Sequence, residues 1–373
     1  MAPSAAALSS FDMAMSIPAK DLFACVDHAR EELHSFYPQA LLPDAQWILN
    51  SRSEELGLEP KGQVSANASC RLMACEDGWL AVNLARQSDL ELMSPWLATE
   101  LEHPNWQSIQ TVLAKRGGQE LLFRGREMGL PLAFVAKPGS QSKTVCNKPQ
   151  MIQLDDRAGQ PRNLSGAQVV DLSALWAGPL CAHLLHACGA QVTSVSSLHR
   201  PDGAAQGSPR HYQQLHRGHE HWVVDFHDAE QRGRLAAALA QADVVIEASR
   251  PRALQGLGLD RQSLQVTKPQ LWLSITAYGR ADPQGQWVGF GDDVAASAGL
   301  LDWQDGRPSF VGDAIADPLT GTFAALAVAE GLARGYSGLL DMPMVAIADQ
   351  CRNKIEASGR PIQCPLSSVP HAH

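Results

Sequence analysis

Between residues 168 and 276 short apolar runs alternate with stretches of helical spacing, and this alternation limits what the chain can fold into more than any other feature. Strands are expected at Gln168 to Leu172, Gln191 to Val195, Trp222 to Phe226, Val244 to Glu247 and Leu271 to Thr276. Helices are expected at Pro179 to Cys188 and Asp228 to Ala240. Strands separated by helices favour a largely parallel sheet with helices on both faces, an α/β fold. In such a sheet ligands bind beyond the carboxyl ends of the strands, where helix N-termini aim unpaired N–H groups at anions. The first βα turn is therefore informative. There Val170-Asp171-Leu172 runs through Ser173, Ala174, Leu175, Trp176 and Ala177 to Gly178-Pro179. Gly178 would permit close approach of a ligand, and Pro179 suits a first helical position. The turn is not the GxGxxG fingerprint of dinucleotide binding.

The remainder of the chain divides around this unit. Residues 1–41 read as an Ala-rich start followed by one amphipathic helix, Pro18 to Ser35, carrying Leu22, Phe23, Val26, Ala29 and Leu33. Residues 42–150 read as a small α+β domain. In it the turn Glu76-Asp77-Gly78 precedes a strand from Trp79 to Leu84, and helices follow at Gln107 to Lys115 and Gln119 to Met128, the second ending at Gly129. From Lys137 to Gly166 the composition shifts to Pro, Gly, Ser, Asn and Gln, which marks a surface connection between domains. The α/β domain would then occupy 166–345, and 346–373 would be a weakly patterned tail.

Composition narrows the function. With 373 residues, 45% of them hydrophobic, the chain can bury a sizeable core without disulfides or a structural metal. A formal net charge of −9 argues against a general nucleic-acid binder, which needs many Lys and Arg contacts to phosphate. No apolar run approaches the ~20 residues of a membrane span, and Met1 to Ser10 lacks the basic flank of a signal peptide, so a cytoplasmic protein is expected. The eight cysteines form no CxxC pair, and reduced thiols are expected, with Cys181 and Cys188 on one helical face as small hydrophobes. His211, His216, His219, His221 and His227 crowd a short stretch; solvated histidines are the simpler reading, and no metal is assigned. His183 and His186 read as satisfied packing histidines. There is no GxSxG elbow for Ser-based hydrolysis.

Several short blocks in one order carry a more specific signal. They are Val170 to Pro179; Cys188-Gly189-Ala190-Gln191-Val192; His216-Arg217-Gly218 ahead of Trp222-Val223-Val224-Asp225; Ala242 to Glu247 ahead of Ser249-Arg250-Pro251; and Leu257-Gly258-Leu259 ahead of Ser274 to Gly279. Over about residues 166 to 345 this order resembles the class III CoA-transferases, the family of formyl-CoA transferase and L-carnitine CoA-transferase, which includes α-methylacyl-CoA racemase. The resemblance implies a Rossmann-like CoA-binding domain and a homodimer. It implies CoA or acyl-CoA and a carboxylic acid as substrates, with no tightly bound cofactor. It places the CoA adenine and phosphates near Arg200, Arg217, Ala248, Ser249 and Arg250, with Leu257 beside the adenine. Arginine forks suit phosphate oxygens. Trp176, Ala177, Gly178, Tyr278 and Asp292 would lie near the acyl group.

Asp317, in Gly312 to Gly321 ahead of an apolar helix, resembles the family's catalytic aspartate, which attacks the thioester carbonyl and passes through a mixed anhydride to an enzyme-bound aspartyl thioester. Spacing alone offers a plainer account: Asp before Pro at a helix start is what an N-cap with Pro at N1 looks like.

Three departures limit the carry-over. The stretch Asp77 to Val135 resembles the small domain that normally follows the CoA half but precedes it here, so that the chain is either rearranged or one part of a larger two-half architecture that works with a second subunit. Trp176 stands where formyl-CoA transferase has a glutamine. Asp292 stands where the racemase branch has a histidine, and an unperturbed carboxyl with a pKa of ~4 is a poor substitute for imidazole at ~6.5. The expected activity is CoA transfer through an aspartyl-CoA thioester. The alternatives are an acyl-CoA racemase or isomerase, and a non-catalytic CoA-binding partner subunit.

Overall fold

The computed structural model describes residues 17, 19–136, 148–152, 154 and 159–356. The first sixteen residues, most of the expected 137–166 connection, and Cys146 and Cys364 lie outside the described residues, as does the end of the expected tail.

The described residues form twelve strands in chain order: β1 (Cys70–Ala74), β2 (Trp79–Asn83), β3 (Leu132–Val135), β4 (Gln150–Ile152), β5 (Gln168–Asp171), β6 (Gln191–Ser197), β7 (Glu220–Val224), β8 (Val244–Glu247), β9 (Leu271–Thr276), β10 (Asp302–Gln304), β11 (Arg307–Ser309) and β12 (Gly338–Pro343). The main sheet has seven strands in the order β4-β12-β9-β8-β5-β6-β7. All its pairs are parallel except the edge pair β12–β4. The fold class is the expected one: a mixed α/β chain around a mostly parallel sheet.

Burial explains the near-continuous apolar runs. Every residue of β8 and β12 is buried, as strands covered on both faces must be. On one face Leu180, Leu184, Phe323, Ala324 and Val328 join a core with Ile246 and Leu273. On the other, Val170, Val195, Val245, Leu235, Leu239 and Trp272 form a second core. The helix Ala316–Ala333 is buried almost all round, as a helix without a polar face must be. Leu22, Val26, Ala29 and Leu33 of the helix Ala19–Phe36 sit in the same core.

Strands β1, β2 and β3 make a separate antiparallel sheet. One side packs on the helices Trp106–Leu113 and Gly118–Glu127 through Leu80, Val82, Ile109, Leu113 and Leu121. The other side meets Ala296, Leu301, Trp303 and Phe310, which bind this sheet to the rest of the molecule. Gly118, at the helix start, donates its N–H to the Asp77 carboxylate at 2.6 Å, a cap supplied from across the turn.

Among the elements that differ from expectation, two helices matter most for the site and the chain's end. The helix Ala45–Leu56 was not among the expected elements; it buries Ala45, Ile48 and Leu49 at i, i+3 and i+4, with Ser51 beside them, on an otherwise largely polar segment. Its ends are well marked: Asp44 accepts the Trp47 N–H at 2.8 Å, and Gly57 takes the left-handed conformation at φ 63°. The expected tail begins instead with a helix, Met344–Glu356, which buries Val345, Ile347, Ala348 and Cys351. No described helix is long and apolar enough to cross a membrane.

Candidate active site

The strand order reverses between β5 and β8, and beyond their carboxyl ends the helices Ala177–Ala187 and Pro251–Leu257 begin. A cavity of about 770 Å³ opens there, with Asp317 in its wall.

Asp317 is not the N-cap that spacing suggested. The helix starts at Ala316 with Ile315 at the cap position, so Asp317 stands inside the first turn, and no side chain caps this end. Pro318 is the third helical residue, where a missing N–H still costs nothing. Two glycines set the carboxyl group's position. A Cβ on Gly321 would lie 2.6 Å from the Ala177 carbonyl oxygen, so only glycine lets the two central helices touch at this point. The contact carries Asp317 to the start of the helix Ala177–Ala187, where the nearby Ala177 N–H favours its charged form. A Cβ on Gly291 would lie 2.2 Å from Asp317 Oδ2, so glycine is required there too.

Burial pushes the Asp317 carboxyl up to about 7, and nearby Asp292 and Asp313 add to that, while Arg52 and the Ala177 N–H oppose it. Asp292 accepts the Ala314 N–H at 3.1 Å and is pushed up to about 6, first by burial and then by Asp313. Asp293, also buried, accepts from Asn83 Nδ2 at 2.8 Å and from the Phe290 N–H at 3.0 Å, and burial holds it at about 7. Several carboxyl groups here thus titrate near neutrality.

Arg52 answers this acidity from the helix Ala45–Leu56. Its Nε donates to Asp313 Oδ2 at 2.7 Å, its Nη2 donates to Asp313 Oδ1, and its guanidinium lies 5.0 Å from the centre of the Trp176 ring. Glu55, on the same helix, accepts the N–H groups of Arg210 and His211 and ties the helix down. A second positive group sits elsewhere on the lining. Arg86, Arg200 and Arg250 all line the cavity, and after burial it is the neighbouring Arg252, Arg86 and Arg200 that hold the Arg250 guanidinium below its usual range.

The backbone is strained on both sides of the site. Leu175 has φ 70° and donates its N–H to the Asp202 carboxylate at 3.1 Å; Ala314 has φ 43°. These turns present Trp176 and Asp317 to the cavity.

Of the residues expected at a site, Asp317, Trp176, Asp292, Arg200, Ala248, Ser249 and Arg250 line the cavity together. Ala177 contributes its N–H. Gly178 lies outside the cavity lining, and the close approach it allows is to Ser173, whose Oγ would lie 2.0 Å from a Cβ there. Tyr278 is buried behind the wall, its ring 5.5 Å from Trp287, which does line the cavity. Arg217 and Leu257 are exposed and outside the cavity lining. Sequence reasoning missed Arg52, Asn67, Ser69, Asn83 and Arg86, all of which line the cavity from residues ahead of the α/β unit. The Asp44 and Gly57 pair that brackets the Arg52 helix was the available signal.

Of the clustered histidines expected in solvent, His221 and His227 are exposed, whereas His211, His216 and His219 are buried. His183, His211 and His216 pack with Trp47, Trp176 and Tyr212 at ring distances of 4.1–6.3 Å, and His219 packs on His216 at 5.7 Å. Burial holds His183 and His211 down to about 4 and His219 to about 3. His183 Nδ1 has no partner among the described residues, so the expectation of a satisfied side chain was too generous. The six described cysteines are buried thiols.

The pattern of "CoA-transferase family III" matches residues 164–348. The succinate–glutarate CoA-transferase of Agrobacterium fabrum is 30% identical over 234 residues, 56% of this chain and 58% of that protein. The succinyl-CoA–D-citramalate CoA-transferase of Chloroflexus aurantiacus is 29% identical, over 44% of each. Among solved structures, a CAIB/BAIF family protein from Brucella suis is 27% identical with a TM-score of 0.47, covering 55% of this chain and 60% of that one. The chain thus spans about half the length of the curated relatives it matches.

Proposed function

The chain belongs to CoA-transferase family III through residues 164–348, and from that premise we propose that it moves CoA between an acyl-CoA donor and a carboxylic acid acceptor, with Asp317 as the acyl acceptor. The observation that carries the proposal is the Asp317 carboxyl group, held in the wall of a cavity that has a group of arginines on one part of its lining and a polar, acidic wall on another. A ligand with phosphates at one end and an acyl group at the other fits that division of charge.

Asp317, ionised, attacks the thioester carbonyl; the C–S bond breaks, CoA leaves as thiolate, and an aspartyl–acyl anhydride remains. CoA thiolate then attacks the aspartyl carbonyl, the donor acid departs as carboxylate, and an aspartyl-CoA thioester is left. An incoming acid reverses the sequence. The elevated pKa of Asp317 suits this chemistry, since a poorly solvated carboxylate is the stronger nucleophile. Arg200, Arg250 and the N–H groups beginning the helix Pro251–Leu257 would hold phosphate, and Trp176 would cover the acyl group. Among the described residues no cluster of His, Cys, Asp or Glu is placed to hold a metal ion, and none is needed for these steps.

The test is trapping: with an acyl-CoA the protein turns over, hydroxylamine or borohydride should leave a mass change on the peptide carrying Asp317. Turnover with no such change would overturn the covalent route. Labelling of the purified chain alone would also set aside the reading as a non-catalytic CoA-binding subunit.

One observation favours a second reading. Asp292 was discounted as a proton carrier because a free carboxyl titrates near 4, yet in the structure it is pushed up to about 6 beside Asp317 at about 7. Two such groups can exchange an α-proton near neutral pH, as an isomerase requires. Solvent deuterium entering the α-carbon of an acyl-CoA, without CoA exchange between acids, would select this reading.

A further inference from the structure

We propose that Arg52 is a positioning residue for Asp317: through Asp313 it fixes the turn that presents the carboxyl group, and it keeps a positive charge beside that group. The inference rests on the CoA-transfer reading and assigns part of that site to a helix outside the 164–348 match.

Asp313 lies four residues ahead of Asp317, in a turn with Gly312 at φ 67° and Ala314 at φ 43°. Left-handed backbone at a residue other than glycine persists only where surrounding contacts determine it. Two contacts do so here. Asp292, from the helix Gly291–Ser297, accepts the Ala314 N–H at 3.1 Å. Arg52 grips Asp313 with its fork, Nε donating to Oδ2 at 2.7 Å and Nη2 to Oδ1, while its guanidinium lies 5.0 Å from the centre of the Trp176 ring. A two-bond fork fixes direction as well as distance, so it sets where Asp313 stands and with it the turn leading to Asp317. Asp313 is buried, and a buried ion pair adds little stability over apolar packing, so its place beside the nucleophile is better explained by the site than by the fold.

Charged groups face Asp317 from each element around it. Arg52 acts from the helix Ala45–Leu56, Asp292 from the helix Gly291–Ser297 and Asp313 from the turn before its own helix, with the Ala177 N–H at the start of the helix Ala177–Ala187. Arg52 favours the ionised form; Asp292 and Asp313 disfavour it. Arg52 in turn faces these three carboxyl groups and His211, which burial keeps neutral above about 4. Removing either member of the Arg52–Asp313 pair should therefore release the turn but move the titration of Asp317 in opposite directions. Asp292 feels the pair with the same signs, so the two carboxyl groups shift together.

The experiment measures the first half-reaction by single turnover from pH 5 to 9, with an acyl-CoA the protein turns over, succinyl-CoA first. Arg52→Met and Asp313→Asn should each lower the plateau rate by about 100-fold, as misalignment at a reacting centre does. The midpoint of the pH profile, about 7 in the wild type, should rise by about one unit in Arg52→Met and fall by about as much in Asp313→Asn. The double variant leaves neither charge unpaired, and should stay slow with a midpoint near that of the wild type. Arg52→Lys keeps the charge without the fork, and should keep the midpoint while recovering only part of the rate. Midpoints that stay in place or move together in the single variants, or rates equal to the wild type, would overturn the proposal. Should Arg52→Met not fold, Asp313→Asn and the double variant still decide, since their midpoints must differ. If no acyl-CoA is turned over, the transfer reading fails by itself, and carbon-13 NMR of labelled aspartate, with Asp317→Asn to assign the resonance, still decides the role of Arg52. Opposite displacements of the Asp317 titration in the two single variants support it, and equal or absent displacements refute it.

Discussion

A carboxyl group near a helix start is usually explained by capping, and Asp317 shows what tells the two roles apart. It stands two residues past the cap position of its own helix and close to the N–H that begins another at Ala177, with Gly291 packed against its oxygen. Replacing it with Asn keeps the shape and removes the nucleophile. Asp317→Asn should lower CoA transfer by at least about 1,000-fold while CoA still binds, measured by turnover and by calorimetry side by side. The reactive form is the carboxylate, and burial has raised its titration to about 7. The rate of the first half-reaction should therefore climb as pH is raised through about 7 and fall below it; a pH-independent single-turnover rate from 5 to 8 would be inconsistent with this role.

At the level of elements, the site depends on how closely the helices Ala177–Ala187 and Ala316–Ala333 approach. Gly321 sets that distance, since a methyl there would press on the Ala177 carbonyl oxygen at 2.6 Å and on Leu180 at 3.0 Å. Gly321→Ala should cost roughly 1–3 kcal/mol of stability, as overpacking does. It should also slow transfer by more than that loss explains, because the same displacement separates Asp317 from the Ala177 N–H; urea unfolding and kcat measured on one preparation would show both. The turns at Leu175 and Ala314 store backbone strain beside the site.

Across the whole molecule, opposite sets of buried groups govern the response to pH. His219 is held down to about 3 by burial, against an ordinary value near 6.5, so folding favours its neutral form. Its contribution to stability is fully present above about 6.5 and is lost as pH falls toward 3. Asp292, Asp293 and Asp317 are raised, so their contribution is largest below about 4 and declines as pH rises through about 6 to 7. The two sets offset each other over much of the acid range. A His219→Asn variant should unbalance them: relative to wild type, its stability should fall progressively as pH is raised from about 4 to 6.5, measured by denaturant unfolding at several pH values. A difference that stays constant over that range would show that His219 is not buried neutral. The other whole-molecule feature is that Arg52, Asn67, Asn83 and Arg86, from ahead of the α/β unit, share one cavity lining with Trp176, Arg250 and Asp317 of the same chain.

Local order was legible along the chain. The strands from Gln168 to Thr276, the helices at Ala177–Ala187 and Ala229–Gln241, and the position of Asp317 at a helix start all follow from periodicity and turn chemistry, which act over a few residues. Cap residues would have marked the Arg52 helix as well, because Asp44 and Gly57 act equally locally. What no local rule could supply is that Arg52 reaches Asp313, 261 residues away in the chain, or that Gly321 and Ala177 meet. Those contacts depend on how whole elements stack, and with them come the burial and the neighbouring charges that move Asp292 and Asp317 toward neutrality. The residue types were fixed by the chain; their acidity and company were decided by packing.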